Sequence, residues 1–209
     1  MSYYAIQQPE HQNLRGFGDI SARRLPVGVR STLAAVSSEA PPHTISPFRG
    51  PADTVGEMRK QVLGPRGERS VVVHQVTESI VRGIQPKDYL SEILAVRNWI
   101  ATHIRYKNDP ISTELVNDPQ RLIEEVAKHG RAIGDCDDIA NLAATMIRQL
   151  GREARWATVG FQYGSPHTHI FTIALEPKSH TWVVIDPVAG TQESTMLSRV
   201  KDWRIWRID

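Results

Sequence analysis

The chain has 209 residues, 40% of them hydrophobic, with 25 basic against 23 acidic side chains and a single cysteine. That length carries one ordinary domain with a proper core, while Cys136 alone excludes an internal disulfide and any cysteine-rich zinc or iron–sulfur centre. A net charge of +2, with basic residues as sparse as Arg23, Arg24, Arg204 and Arg207, argues against nucleic acid, and no run of about 20 apolar residues is present to span a bilayer.

Residues 1–52 differ in texture from the rest. Pro9, Pro26, Pro41, Pro42, Pro47 and Pro51 break any helical period, so the expectation is a Pro/Gly-rich N-terminal arm, with a short strand at Val27–Val36, ahead of a domain over 53–209. The opening MSYYAIQQPEHQNLRG lacks a basic flank followed by an apolar run, so the expected compartment is cytoplasmic.

Helical signals start at Asp53–Thr54, a cap before VGEMRKQVL, and stop near Gly64–Pro65. A second helix is expected over Ser70–Arg82 and a third from Tyr89 to Ile104, where Ile93, Val96, Ile100 and Ile104 keep helical spacing. Trp99 and His103 read as helix packing. Residues 105–119 read as a polar loop, and Gln120–Lys128 as a short helix ended by His129–Gly130. GDCDDIANLAATMIRQLG, residues 134–151, is the most regular helix, with Gly151 as its stop.

Beyond it the period changes to 2. Ala154–Gln162, Thr168–Glu176 and Thr181–Asp186 read as strands, Pro177–His180 as a hairpin connection and DWRIWRID as a final strand. Helices followed by a run of antiparallel strands make an α+β domain.

Three polar residues do not read as surface. Cys136 opens the regular helix, where unpaired N–H groups and the helix dipole lower a thiol's pKa, although Asp135 and Asp137 push the other way. His169 begins the strand row Phe171, Ile173, Leu175, and Asp186 ends the row Trp182, Val184. A hairpin that sets Asp186 beside His169 would let the acid hold the imidazole while the imidazole takes the proton of Cys136. A competing metal reading uses His167 and His169 with Cys136, Asp135 or Asp137, but the spacing lacks the short first gap of a structural zinc site, so no metal and no cofactor is expected.

At these residues the chain resembles the transglutaminase-like branch of the papain-like cysteine proteases. The resemblance runs from about Thr54 to Gly190 and lies in the order GDCDDIANLAATMIRQLGREARW, HTHIFTIAL, WVVIDPVAG, with the upstream IRYKNDP similar to compact bacterial and phage-associated members. It implies a papain-like core in which the nucleophile helix packs against a C-terminal antiparallel sheet. It also implies Cys136 as nucleophile, His169 as base and Asp186 as orienting acid, acting on a peptide or protein amide by hydrolysis or acyl transfer. Of the pair His167 and His169, the latter continues the row and is the expected base. A side-chain oxyanion donor is expected from Tyr106 or Asn108. The family also includes members without activity, so the rival expectation is a catalytically inactive scaffold or interaction domain of the same fold.

Overall fold

The computed structural model describes residues 43–45, 50–110, 114–188 and 193–209. The strand expected at Val27–Val36 lies outside them.

Each helix starts where its sequence can cap it. Helix α1, Pro51–Leu63, places Pro51 in its first turn after Gly50, whose carbonyl accepts the Asp53 N–H. Its cap, Gly50, therefore lies three residues before Asp53, the first residue of the expected cap, because proline's fixed φ suits the first helical position and its missing N–H is not needed there. Helix α2, Val71–Val81, is capped by Ser70 Oγ, which accepts from Val73 N–H at 3.2 Å. Helix α3, Tyr89–His103, is capped by Asp88, and helix α4, Pro119–His129, by Asp118. Gly130, at φ 77°, ends α4 in a left-handed conformation that glycine adopts without strain. Helix α5, Cys136–Gln149, is capped by Asp135.

The expected loop over 105–119 is only partly a loop. Strand β2, Ile104–Tyr106, pairs in parallel with β4, Ala132–Gly134, and β3, Glu114–Val116, pairs antiparallel with β1, His43–Ile45. Three-residue strands are too short for an alternating pattern to show in sequence. The C-terminal half forms the expected antiparallel sheet, in the order β7 (Thr181–Ile185), β6 (His169–Glu176), β5 (Ala154–Gly160), β8 (Asp202–Arg207). A short helix α6, Glu193–Arg199, precedes β8.

This α+β domain has a main core between the helices and one face of the sheet. Helix α5 is buried on nearly every side, and its small residues Ala140, Ala143 and Ala144 let neighbouring elements approach. Ile170 and Ala174 of β6 join that core, while Thr172 Oγ1 donates to the Ala140 carbonyl at 2.7 Å and Trp156 Nε1 to the same oxygen at 3.4 Å. Trp99 is buried in the same core, and the His103 ring stacks on it at 4.4 Å. Phe171 and Ile173 point the other way. With Ala157, Val159 and Val184 they form a second, smaller cluster against which Met196 and Leu197 of α6 pack. The row that His169 begins is buried as its pattern implied, but beneath α6 rather than beneath α5. Both faces of β6 are covered, so alternation alone does not tell which one meets helix α5.

Candidate active site

The strand β4 runs straight into helix α5 through Gly134 and Asp135. A Cβ at Gly134 would lie 2.8 Å from Asp138 Cβ, closer than such atoms approach, so only glycine permits this tight entry. Asp135 Oδ1 accepts from the N–H groups of Asp137 and Asp138 at 3.2 and 3.4 Å. The Asp138 carboxylate accepts from both the backbone N–H and the side-chain amide of Asn117, each at 2.7 Å, which ties the helix end to the segment after β3.

Cys136 stands at this tied end, half-buried, with the backbone N–H of Ile170 bonded to its sulfur. Its thiol does not have the lowered pKa that a helix N-terminus suggests. Burial pushes it up, the carboxylates of Asp135 and Asp137 push further in the same direction, and the Ile170 N–H opposes them only in part. The helix end has a positive dipole, but its capping and first-turn residues are themselves carboxylates. Burial, then the neighbouring Asp135, also raises Asp137 well above the usual carboxylate range and Asp138 to about 7.

The strand side is arranged differently. His169 is the first residue of β6, and its Nε2 donates to Asp186 Oδ2 at 2.7 Å. Asp186 directly follows β7 and is 1% exposed, so the carboxylate holds one imidazole nitrogen in a dry setting. His167 has other partners. Its Nδ1 pairs with Thr158 Oγ1 at 2.8 Å and its Nε2 lies 3.3 Å from Asp202.

These two sides meet at a cavity of about 520 Å³ lined by Cys136, His167, His169, Tyr106 and Asn108. The size is that of ordinary small-ligand clefts. Tyr106 donates its hydroxyl to Asn108 Oδ1 at 2.6 Å, and burial, then the nearby Cys136 and Asp135, pushes that phenol up to about 12. Tyr106 therefore stays a neutral donor, with Asn108 as its acceptor.

The same cavity is bordered by residues that the sequence did not mark as candidate site residues: Thr54, Asp109, Glu114 and Gly50–Pro51 at the start of α1. Asp109 accepts the Leu115 N–H, and Glu114 accepts from Thr54 Oγ1 at 3.4 Å. The Asp-Pro of KNDP was the available signal for Asp109; Glu114 carried none. Among the described residues, one carboxyl oxygen each of Asp135, Asp137 and Asp138 lie within 4.8 Å of one another, the closest approach to a metal-ligand set. Most of that set already caps the helix or holds Asn117, and His167 and His169 point to separate carboxylates rather than to one shared centre.

Among known proteins, the model of the transglutaminase-like superfamily matches residues 74–187, more than half of the chain. A crystal structure from Cytophaga hutchinsonii, provisionally described as a cysteine protease, superposes with a TM-score of 0.46 at 18% identity, over 73% of this chain and 52% of that one. The present chain thus spans about half the length of that protein. No curated protein sequence matches it. Among the described residues, no helix is long and apolar enough to cross a membrane.

Proposed function

The chain belongs to the transglutaminase-like superfamily, and on that premise we propose that it transfers the acyl group of a peptide or protein amide through Cys136, His169 and Asp186. The observation that carries this reading is the His169–Asp186 hydrogen bond at the rim of a cavity that Cys136 also lines. With Nε2 donating to Asp186, the neutral imidazole keeps its proton on Nε2, and Nδ1 is the nitrogen left to act as base. Cys136 Sγ bonds to the amide carbonyl carbon as its proton passes through His169 to the leaving nitrogen, and the C–N bond breaks. Water then attacks the thioester, giving one proton to His169 and releasing the carboxylic acid, after which the thiol regains its proton. Hydrolysis needs no second amine site and is the simpler outcome.

For the tetrahedral oxyanion, the Cys136 backbone N–H and the Asn108 side-chain amide are the donors favoured. The Tyr106 hydroxyl is already committed to Asn108 Oδ1. The second reading, an inactive scaffold of the same fold in a compact bacterial or phage-associated protein, draws support from the carboxylates that hold the thiol protonated.

Alkylation separates the two. Because Cys136 is the single cysteine, one added mass reports on it alone. In the folded chain iodoacetamide should label Cys136 with a sigmoidal or bell-shaped pH profile that His169→Ala abolishes. A folded chain inert under conditions where the urea-unfolded chain reacts favours the scaffold and ends the enzyme reading.

A further inference from the structure

The short ribbon of β2 and β4 presents a face that neither the core nor the acyl-transfer chemistry uses. Its parallel register pairs Ile104 with Ala132 and Arg105 with Ile133. Side chains alternate along a strand, so Ile104 and Ala132 turn inward and are buried, while Arg105 and Ile133 turn out. The same parity carries Lys107 and Arg131 to the outer face, and the Lys107 N–H donates to the Gly134 carbonyl, which extends the ribbon by one residue. Three exposed cations thus surround Ile133, itself 52% exposed.

This face has no counter-charge of its own. Arg105, Lys107 and Arg131 have no ion pair or side-chain hydrogen bond among the described residues. The carboxylates nearest them in the chain are occupied, since Asp109 accepts the Leu115 N–H and Asp135 caps α5. On helix α4, which packs against β4, Glu124 holds Arg66 at 2.9 Å and Glu125 holds Arg121 at 3.2 Å. Cations elsewhere on the domain are matched, as Arg148 is with Glu68 and Arg152 with Glu92. An exposed isoleucine or arginine taken singly is ordinary. Three unmatched cations held around an exposed isoleucine on one face repel one another and leave apolar surface in water, and a partner of opposite charge relieves both.

We infer that the outer face of the β2–β4 ribbon docks an acidic segment of a protein, with glutamates or aspartates against Arg105, Lys107 and Arg131 and an apolar side chain against Ile133. The surface is separate from the reacting groups but adjoins them. Tyr106 and Asn108, on either side of Lys107 in the chain, line the cavity that Cys136 also lines, so a protein held on the ribbon lies at the cavity's edge. The isoleucine at the centre favours a peptide over a nucleic acid, whose phosphates gain nothing from an apolar contact.

Fluorescence anisotropy of the full chain with three labelled probes tests this: a peptide of glutamates interrupted by leucines, the same peptide with lysine for each glutamate, and a single-stranded oligonucleotide matched in charge to the first. The acidic peptide should bind about 10-fold or more tighter than its lysine counterpart, and about 0.5 M potassium chloride should weaken it in the unaltered chain, where no variant can misfold. Arg105→Glu and Arg131→Glu should each weaken binding about fivefold and Ile133→Ser about threefold, while Arg82→Glu, at an exposed cation after α2, should leave it unchanged. Equal affinity for the two peptides, an equal loss in Arg82→Glu, or affinity that Ile133→Ser does not lower overturns the docking face. Tighter binding of the oligonucleotide through the same arginines overturns the acidic peptide as its occupant. The anisotropy does not involve the sulfur, so a Cys136 inert to iodoacetamide ends the enzyme reading alone, and a reactive Cys136 beside a ribbon without charge preference ends this inference alone.

Discussion

The two sides that meet at the cavity are built on opposite electrostatic terms. On the strand side, one imidazole has one buried carboxylate, His169 with Asp186 at 2.7 Å, and the charges that can develop there are matched within the fold. On the helix side, Asp135, Asp137 and Asp138 gather at the capped end of α5 with no cation among them in the described residues, and burial, with Asp135 and Asp137, keeps the neighbouring thiol protonated. An imidazole can be paired by folding alone when its partner lies on the next strand of a hairpin. A thiol that is buried beside carboxylates keeps its proton. The contrast also separates two uses of carboxylates, orienting a proton carrier in one place and capping a helix in the other.

The largest effect expected on this contrast comes from the strand side. His169→Ala should slow iodoacetamide labelling of Cys136 near pH 7 by about 100-fold or more, the usual scale of a lost general base, as read by intact mass over time. Equal rates in the two proteins would mean that the imidazole does not serve the sulfur. The packed layer beneath should respond in stability instead: Trp156→Ala, at a fully buried side chain under α5, should cost about 3–5 kcal/mol in urea unfolding.

The helix side makes a pH prediction. The proton on Asp138 is held up to about pH 7 in the folded chain against about pH 4 in an unfolded one. The stability this group contributes is therefore whole below about pH 4 and is lost as the pH rises toward 7, by up to about 1.4 kcal/mol for each unit crossed. Urea midpoints should fall between pH 5 and 7.5, and Asp138→Asn, which mimics the protonated form, should flatten that slope. A slope unchanged in the variant would assign the pH dependence to another group. The smallest effect lies away from the cavity: Ser70→Ala should remove the cap of α2 and lower stability by about 1 kcal/mol in the same assay.

The legible parts of the molecule are those where a signal repeats. Ile93, Val96 and Ile100 mark α3 because a helix returns the same face every three to four residues, and the four strands of the main sheet show because each runs over five residues or more. The same parity put His169 and Asp186 at the ends of inward rows, and the hairpin register that sets them beside each other is seen in the fold. Strands β2, β3 and β4, three residues each, carried too few positions for any period to appear, and Glu114 entered the cavity on one of them without a sequence signal.

The direction of the Cys136 shift shows a different limit. Its place at a helix start was readable, but the sign depended on whether the flanking carboxylates turned toward the sulfur and how deeply the group was buried, and both acted upward.

What the chain's order of residues determined by itself was the α+β plan, the capped start of helix α5 and the strands that carry His169 and Asp186, because backbone periodicity and capping are local properties. Tertiary structure alone decided which face of the doubly covered sheet meets which helix, which distant carboxylates share the cavity and how the sulfur titrates. Those outcomes depend on burial and on separations between residues far apart in the chain, and electrostatic energy follows distance in space rather than position in sequence.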